Sequence, residues 1–187
     1  MGRSKATLPL GASDTFLTRI IRTFEQAAVD DIVVVLGFEA ETIRDSVLAH
    51  GLRPRFVINR DYESGQFSSM LAALGAIDRP GVGAMLLTLV DVPFVSAATV
   101  GAVLQHYRAT HAPIVRPVRG ALHGHPVVVD RSLFELLRSA DPTVGAKPIV
   151  RAHASSAGDL VVEDDGAFQD VDTPEDYARL ADRFGLA

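Results

Sequence analysis

Met85-Leu86-Leu87-Thr88-Leu89-Val90-Asp91-Val92-Pro93 is an apolar run that stops on a carboxylate and a proline. It does not alternate apolar with polar, so it reads as a strand buried on both faces, as in a parallel sheet. The same pattern recurs upstream in Ile32-Val33-Val34-Val35-Leu36-Gly37, more briefly in Phe56-Val57-Ile58, and downstream in Ile114-Val115, Pro126-Val127-Val128-Val129 and 159–162. Segments of helical period separate these runs, at about 13–28, 40–49, 68–77, 97–108 and 132–137. Ser13 or Asp14 is expected to cap the first of them, which carries the stripe Phe16, Leu17, Ile20, Ile21 and Phe24. Thr173-Pro174 opens a terminal helix, with threonine capping and proline at the first helical position. Strands alternating with helices predict right-handed βαβ units. The expected fold is α/β, a Rossmann-like doubly wound, mostly parallel sheet with helices on both faces, in one domain spanning 1–187. Such sheets bind ligands beyond the carboxyl ends of their strands.

The composition narrows the function classes. With 187 residues, 48% hydrophobic and 22% charged, the chain can bury a sizeable core. It has no cysteine, which excludes disulfides, thiolate metal sites and cysteine nucleophiles and fits a cytoplasmic protein. The net charge of -5, with arginines spread singly, gives no basic stripe for nucleic acid. No apolar run is long enough for a membrane span, and the N-terminus lacks a signal-peptide core.

Several polar residues fall where a ligand would sit. Asp91 projects from a strand's carboxyl end, where it either caps the turn or ligates a cation; Mg²⁺ takes one or two carboxylates and fills its remaining positions with water or phosphate oxygens. Asp170-Val171-Asp172-Thr173-Pro174-Glu175-Asp176 places acids at a helix start, where they complement the dipole or, with Asp91, hold a nucleotide-bound metal. Lys5 precedes the first helix, either as a solvated lysine or as a phosphate contact. The stretch 61–69 offers Ser68, Ser69 and helix-start amides to a ligand, or is a plain N-cap turned by Gly65. His123-Gly124-His125 sets two histidines before a strand, as a substrate-contacting loop or a structural turn; a zinc site would need further ligands.

In their order and spacing, these pieces resemble the MobA-like NTP transferase family, whose fold is of the nucleotide-diphospho-sugar transferase type, and most closely its molybdenum-cofactor cytidylyltransferase branch. Met1-Gly2-Arg3-Ser4-Lys5 matches the M-G-x-x-K tail of the family's phosphate loop, Leu89-Val90-Asp91-Val92-Pro93 its strand-end acid motif, Gly124-His125-Pro126-Val127 its G-H-P-V segment, and 170–176 its D-x-D-T-P-E-D motif. The resemblance implies that Lys5 and Asp91 are catalytic. Gly2, Arg3, Lys5, Gly37, Gly65, Ser68 and Ser69 would bind nucleotide. His123, Gly124 and His125 would face the acceptor, and Asp91 and Asp172 would hold Mg²⁺. Val90 stands where the family usually has glycine.

The expected reaction is transfer of a nucleotidyl group from an NTP, by preference CTP, to a phosphate-bearing acceptor such as molybdopterin, with GTP and sugar or alcohol phosphates as alternatives. A molybdoenzyme maturation partner is a further expectation. The competing reading is a non-catalytic relative that binds a ligand or partner; a dinucleotide-dependent dehydrogenase is weaker, because no G-x-G-x-x-G follows a strand. By the same resemblance the family's first strand and most of its phosphate loop are missing. The expectation is a gap beside 32–36 and 85–90, with 1–10 loosely placed and a chain that is poorly soluble or inactive.

Overall fold

The apolar residues of the central strands point alternately to two helical layers. A computed structural model describes residues 4–183. In chain order the first half contains β1 (Pro9–Leu10), β2 (Asp14–Thr15), α1 (Phe16–Gln26), β3 (Val33–Leu36), α2 (Ala40–Ala49), β4 (Arg55–Ile58), α3 (Gln66–Ile77) and β5 (Ala84–Leu87). The second half contains α4 (Ala97–Thr110), β6 (Ile114–Arg119), β7 (Leu122–His123), β8 (Val127–Asp130), α5 (Phe134–Arg138), α6 (Lys147–His153), β9 (Asp159–Val161) and α7 (Pro174–Arg183).

β3 and β4 pair in parallel, Val33 opposite Arg55 through Leu36 opposite Ile58. In a second sheet β8 lies antiparallel between β5 and β6, with Met85 opposite Val129 and Val115 opposite Val128. β5 and β6 therefore run in the same direction, as a helical crossover through α4 requires. β9 joins β6 in parallel and β7 folds back on the end of β6. On one face Met85, Ile114 and Val129 pack with Phe67, Met70 and Leu74 of α3 and Phe134 and Leu137 of α5. On the other, Val115 and Val128 pack with Val103 of α4. Val34 and Leu36 of β3 pack under Leu17 and Ile21 of α1 and Ile43 and Val47 of α2. This period-two sorting is what buries a sheet on both faces.

Several boundaries differ from expectation, β6 among them, which runs on to Arg119, and three have a local reason. α1 is capped by Thr15, not by Ser13 or Asp14. Thr15 Oγ1 accepts from the Thr18 amide, and the Thr18 hydroxyl accepts from the Thr15 amide at 2.7 Å. Asp14 is drawn into β2 and takes Arg22 at 2.9 Å. The strand expected over 85–90 stops at Leu87. Its last partner is Val127, and the residue before that is Pro126, which has no amide to donate. α3 starts two residues early, so Ser68 and Ser69 lie within its first turn. α6, short and with a proline at its start, was not foreseen.

The segment from Ser4 to Leu10 is not loosely placed. Leu10 is buried, the Phe16 amide donates to the Leu8 carbonyl at 3.0 Å, and Tyr177 donates to the Pro9 carbonyl at 2.7 Å. A gap does lie between β3 and β5. The two strands belong to separate sheets, and among the described residues no backbone hydrogen bond joins them. Between them is a cavity of about 1040 Å³.

Phe16 ties α1 to the C-terminal segment, fully buried among Leu10, Phe94, Val171 and Leu180 and stacked on Tyr177. Phe16→Ala should lower stability by about 3–5 kcal/mol. Urea titration should show this as a lower midpoint at unchanged slope.

Candidate functional site

β5 ends at Leu87, and the chain turns through Thr88 to Asp91 at the carboxyl edge of the sheet. The Val171 amide donates to the Asp91 carbonyl at 2.8 Å, so the late acidic loop is fastened to the turn that carries Asp91. From that loop Asp172 accepts a hydrogen bond from Lys5 Nζ at 2.7 Å. Residues 80 to 167 positions apart in sequence thus meet at one corner.

The corner is electrically unbalanced. Asp170, itself exposed, has its carboxyl pushed above the ordinary carboxylate value by desolvation and then by the neighbouring charges of Asp91 and Asp172; His125 and Lys5 offset part of this. Asp91 Oδ1 is buried and has no hydrogen-bond partner. His125 is held below the ordinary histidine value by burial, against the opposing influence of the Leu87 backbone and of Asp170 and Asp91. Its Nδ1 is also buried without a partner, as are Thr88 Oγ1 and Gln169 Oε1. Buried polar atoms are nearly always paired in a finished site. Among the described residues no three His, Asp or Glu side chains come close enough to cage a metal by themselves, so a divalent cation here would take one or two of these carboxylates, Asp91 with its orphaned oxygen among them, and fill its other positions with water or phosphate oxygens.

His125 is positioned by backbone contacts. Its amide donates to the Ala167 carbonyl at 2.8 Å, and the peptide to Pro126 is cis. Gly124 is needed there, because a Cβ would stand 2.4 Å from the Ala167 carbonyl oxygen and 2.9 Å from the Phe168 ring. His123 does not join it: it sits exposed on β7, opposite Val118.

The second set of strand ends is that of β3 and β4. At Gly37 a Cβ would lie 2.4 Å from Tyr62 Cβ, so only glycine lets the 59–66 loop close over the strand end. Gly65, at φ +98°, starts α3. Ser68 and Ser69 are engaged internally: the buried Asn59 donates to Ser68 Oγ at 2.8 Å and to Ser69 Oγ at 3.0 Å, and Ser68 Oγ bonds the Asp61 and Gly65 carbonyls. Asn59 was not singled out from sequence; its place directly after a strand is the only signal. Phe38 and Tyr62 stand exposed beside it, ring centroids 6.4 Å apart. Gly2 and Arg3 lie outside the described residues.

A doubly wound α/β domain gathers its ligands at its strand ends, and here those ends carry an acid-lined corner. The chain belongs to the MobA-like NTP transferase family, whose domain model matches residues 1–157. It is similar to the nicotine blue oxidoreductase of Paenarthrobacter nicotinovorans, with 31% identity over 96% of this chain and 89% of that protein. Among solved structures it resembles Rv0371c of Mycobacterium tuberculosis H37Rv in complex with manganese, at 28% identity, TM-score 0.77, and coverage of 97% and 93% of the two chains. The fold is also that of a nucleotidyl transferase from Methanothermobacter thermautotroptrophicus, at 21% identity, TM-score 0.77, and coverage of 96% and 84%.

Asp170 supplies a test of the corner's charge. Because its folded pKa is raised, its contribution to stability is full below the ordinary carboxylate value and is lost as pH rises through the raised one. In chelator-treated protein Asp170→Asn should remove that loss and raise the melting temperature at neutral pH. Solvent exposure limits the gain to about 1 kcal/mol or less. Melts across the acid range should show the difference between the two proteins opening as pH increases.

Proposed function

We propose that this chain is a divalent-metal-dependent nucleotidyltransferase of the cytoplasm. It transfers a nucleotidyl group from an NTP, with CTP preferred, to a phosphate-bearing acceptor of the molybdopterin kind. The acceptor oxygen attacks the α-phosphorus, a new P–O bond forms, and the bond from that phosphorus to the β-phosphate bridging oxygen breaks, so that pyrophosphate leaves with the electron pair. The observation that carries this reading is the corner where Asp91, with its orphaned oxygen, meets the 170–172 loop and Lys5.

Asp91 and Asp172 would hold Mg²⁺, with Asp170 adding negative charge beside them. The metal's contribution is to neutralise charge on the phosphates as it develops. Lys5 is stored against Asp172 and is therefore within the corner when phosphates arrive; the triphosphate would then replace the carboxylate as its partner. Protein groups do little covalent chemistry in such a transfer, so positioning and charge account for the rate.

The Gly37 and Gly65 turns bring the ends of β3 and α3 to the nucleotide side. Ser68 and Ser69 act through Asn59, shaping the loop. His125 and Gly124, on the acid side of the corner, face the acceptor, whereas His123 is assigned only to the outer rim. Release of product to a molybdoenzyme maturation partner would follow. GTP, and sugar or alcohol phosphates, are the alternatives within the same chemistry.

Asp91→Asn should reduce turnover by roughly 10²–10³-fold, the loss typical of removing one electrostatic contact to the transition state. Its melting temperature without metal should be unchanged or higher, because a carboxylate oxygen that lacks a hydrogen-bond partner is removed. Pyrophosphate release assays with Mg²⁺ and Mn²⁺, for CTP and GTP, test both the role and the base. A variant that turns over at the parent rate at saturating metal removes Asp91 from the site.

A further inference from the structure

Single apolar side chains on a surface are ordinary, whereas a cluster of them marks a contact surface. Such a cluster stands at the carboxyl ends of β3 and β4. Phe38 is 64% exposed, and Ile58 and Tyr62 are exposed with it. Ile58 pairs with Leu36, two residues before Phe38, and Tyr62 reaches over Gly37 from the loop that follows β4.

The cluster is held in place by backbone. Glu39 adopts φ +54°, a left-handed conformation that residues with side chains rarely enter, and this turn leaves Phe38 outside both β3 and α2. Backbone held in this way collects at ligand sites. On the other side, the Asn59 amide donates to the Leu36 carbonyl at 2.8 Å, and Asn59 Oδ1 accepts from the Asp61 amide at 2.9 Å. The Ser64 amide then closes on the Asp61 carbonyl at 2.9 Å, so the short turn that carries Tyr62 is fastened to the end of β3. Aromatic side chains have only two torsions to fix, so a ring seated on them loses little to their ordering.

The chemistry of the patch selects its occupant. Phe38 and Tyr62 meet at 56° with centroids 6.4 Å apart. A tilted contact spends a ring edge, so it leaves an aromatic face for a third partner. The rim is charged, because Glu39, Arg60, Asp61 and Glu63 are all exposed around it. The core of a protein interface is wide and poor in charge, and two rings hemmed by four charged residues do not provide that. A planar heterocycle does fit, with an apolar face laid on Phe38 and its polar edge turned to the rim. A nucleobase is such a ring, and ligands of this fold gather beyond the carboxyl ends of its strands.

We infer that Phe38, braced by Tyr62, is a stacking platform for the base of the nucleotide, a role that rests on the nucleotidyl transfer proposed above. A platform reads the face of a base and not its hydrogen-bonding edge, and every base has a face. Phe38 therefore adds affinity for CTP and GTP alike, and the choice between them falls to other groups. The stack is the same in the bound substrate and in the transition state, so it lowers KM and leaves kcat unchanged.

Calorimetric titration of the full chain with CTP, GTP and inorganic tripolyphosphate, each with Mg²⁺, tests the platform. Phe38→Ala should weaken both nucleotides by about tenfold, the usual order of loss for one base–aromatic stack. Phe38→Leu should lose as much, since it keeps apolar area without a flat face, and Phe38→Trp should bind at least as well as the parent. Tripolyphosphate has no ring, so none of the three substitutions should change its affinity. Because Phe38 is exposed, all three variants should melt with the parent, which separates loss of stacking from loss of fold. The inference is overturned if the parent binds neither nucleotide, if Phe38→Ala binds both as the parent does, or if Phe38→Leu does so. It is also overturned if tripolyphosphate weakens in step with the nucleotides, or if sedimentation shows a parent dimer that Phe38→Ala dissociates, which would make the patch an interface. Phe38-dependent binding without pyrophosphate release would sink the transferase reading and leave the platform. Pyrophosphate release by Phe38→Ala at the parent KM would do the reverse.

Discussion

A backbone amide or carbonyl buried in a sheet must be paired, and this constraint governs the molecule more than any side-chain contact. Each buried orphan costs about 1–3 kcal/mol. The rule explains why β5 ends at Leu87, where Pro126 can no longer donate, and hence why Asp91 sits on a turn and not on the strand. It also explains why the Val171 amide seeks the Asp91 carbonyl, the bond that brings the late acidic loop to the corner. Where the rule is unmet, between β3 and β5, the cavity opens.

Electrostatics at the corner follow from that placement. Three carboxylates converge because two loops are fastened by one backbone bond, and not because the carboxylates attract one another. Lys5 pairs with Asp172 and offsets only part of the repulsion at Asp170. The raised pKa of Asp170 and the orphaned Asp91 oxygen are the two signs of charge still unbalanced. His125, half-buried and held below the ordinary histidine value by desolvation, adds a ring nitrogen without a hydrogen-bond partner.

Much of this was legible in the amino-acid order. The run Val33 to Leu36 needs both faces covered, and α2 begins and ends where expected, at Ala40 and Ala49. Thr173 caps α7 as its position before Pro174 implies, its hydroxyl accepting from the Asp176 amide at 3.1 Å. Asp91, after a strand, and Asp172, before a helix, could be expected on one side of the sheet from those element ends. What sequence could not give depends on contacts distant in the chain. Ser68 and Ser69 look like free hydroxyls until Asn59 is found beneath them. His123 and His125 look like a pair until the hairpin of β7 and the contact of Gly124 with Ala167 separate them. Asp170 reads as one more helix-start acid until Asp91 is brought beside it.

Family membership leaves the reaction's particulars to these same residues. The similar protein from Paenarthrobacter nicotinovorans is named as an oxidoreductase, while the archaeal protein of the same fold is named as a nucleotidyl transferase. A fold fixes where ligands gather, and the groups gathered there fix the chemistry. In this chain they are carboxylates, one lysine and an imidazole, a set suited to holding charged oxygens and a hard cation. Lys5 and Ala6 belong to one short turn, and Ala6 packs among Leu17, Leu36 and Val90, so the apolar packing under that turn also sets where Lys5 stands beside Asp172.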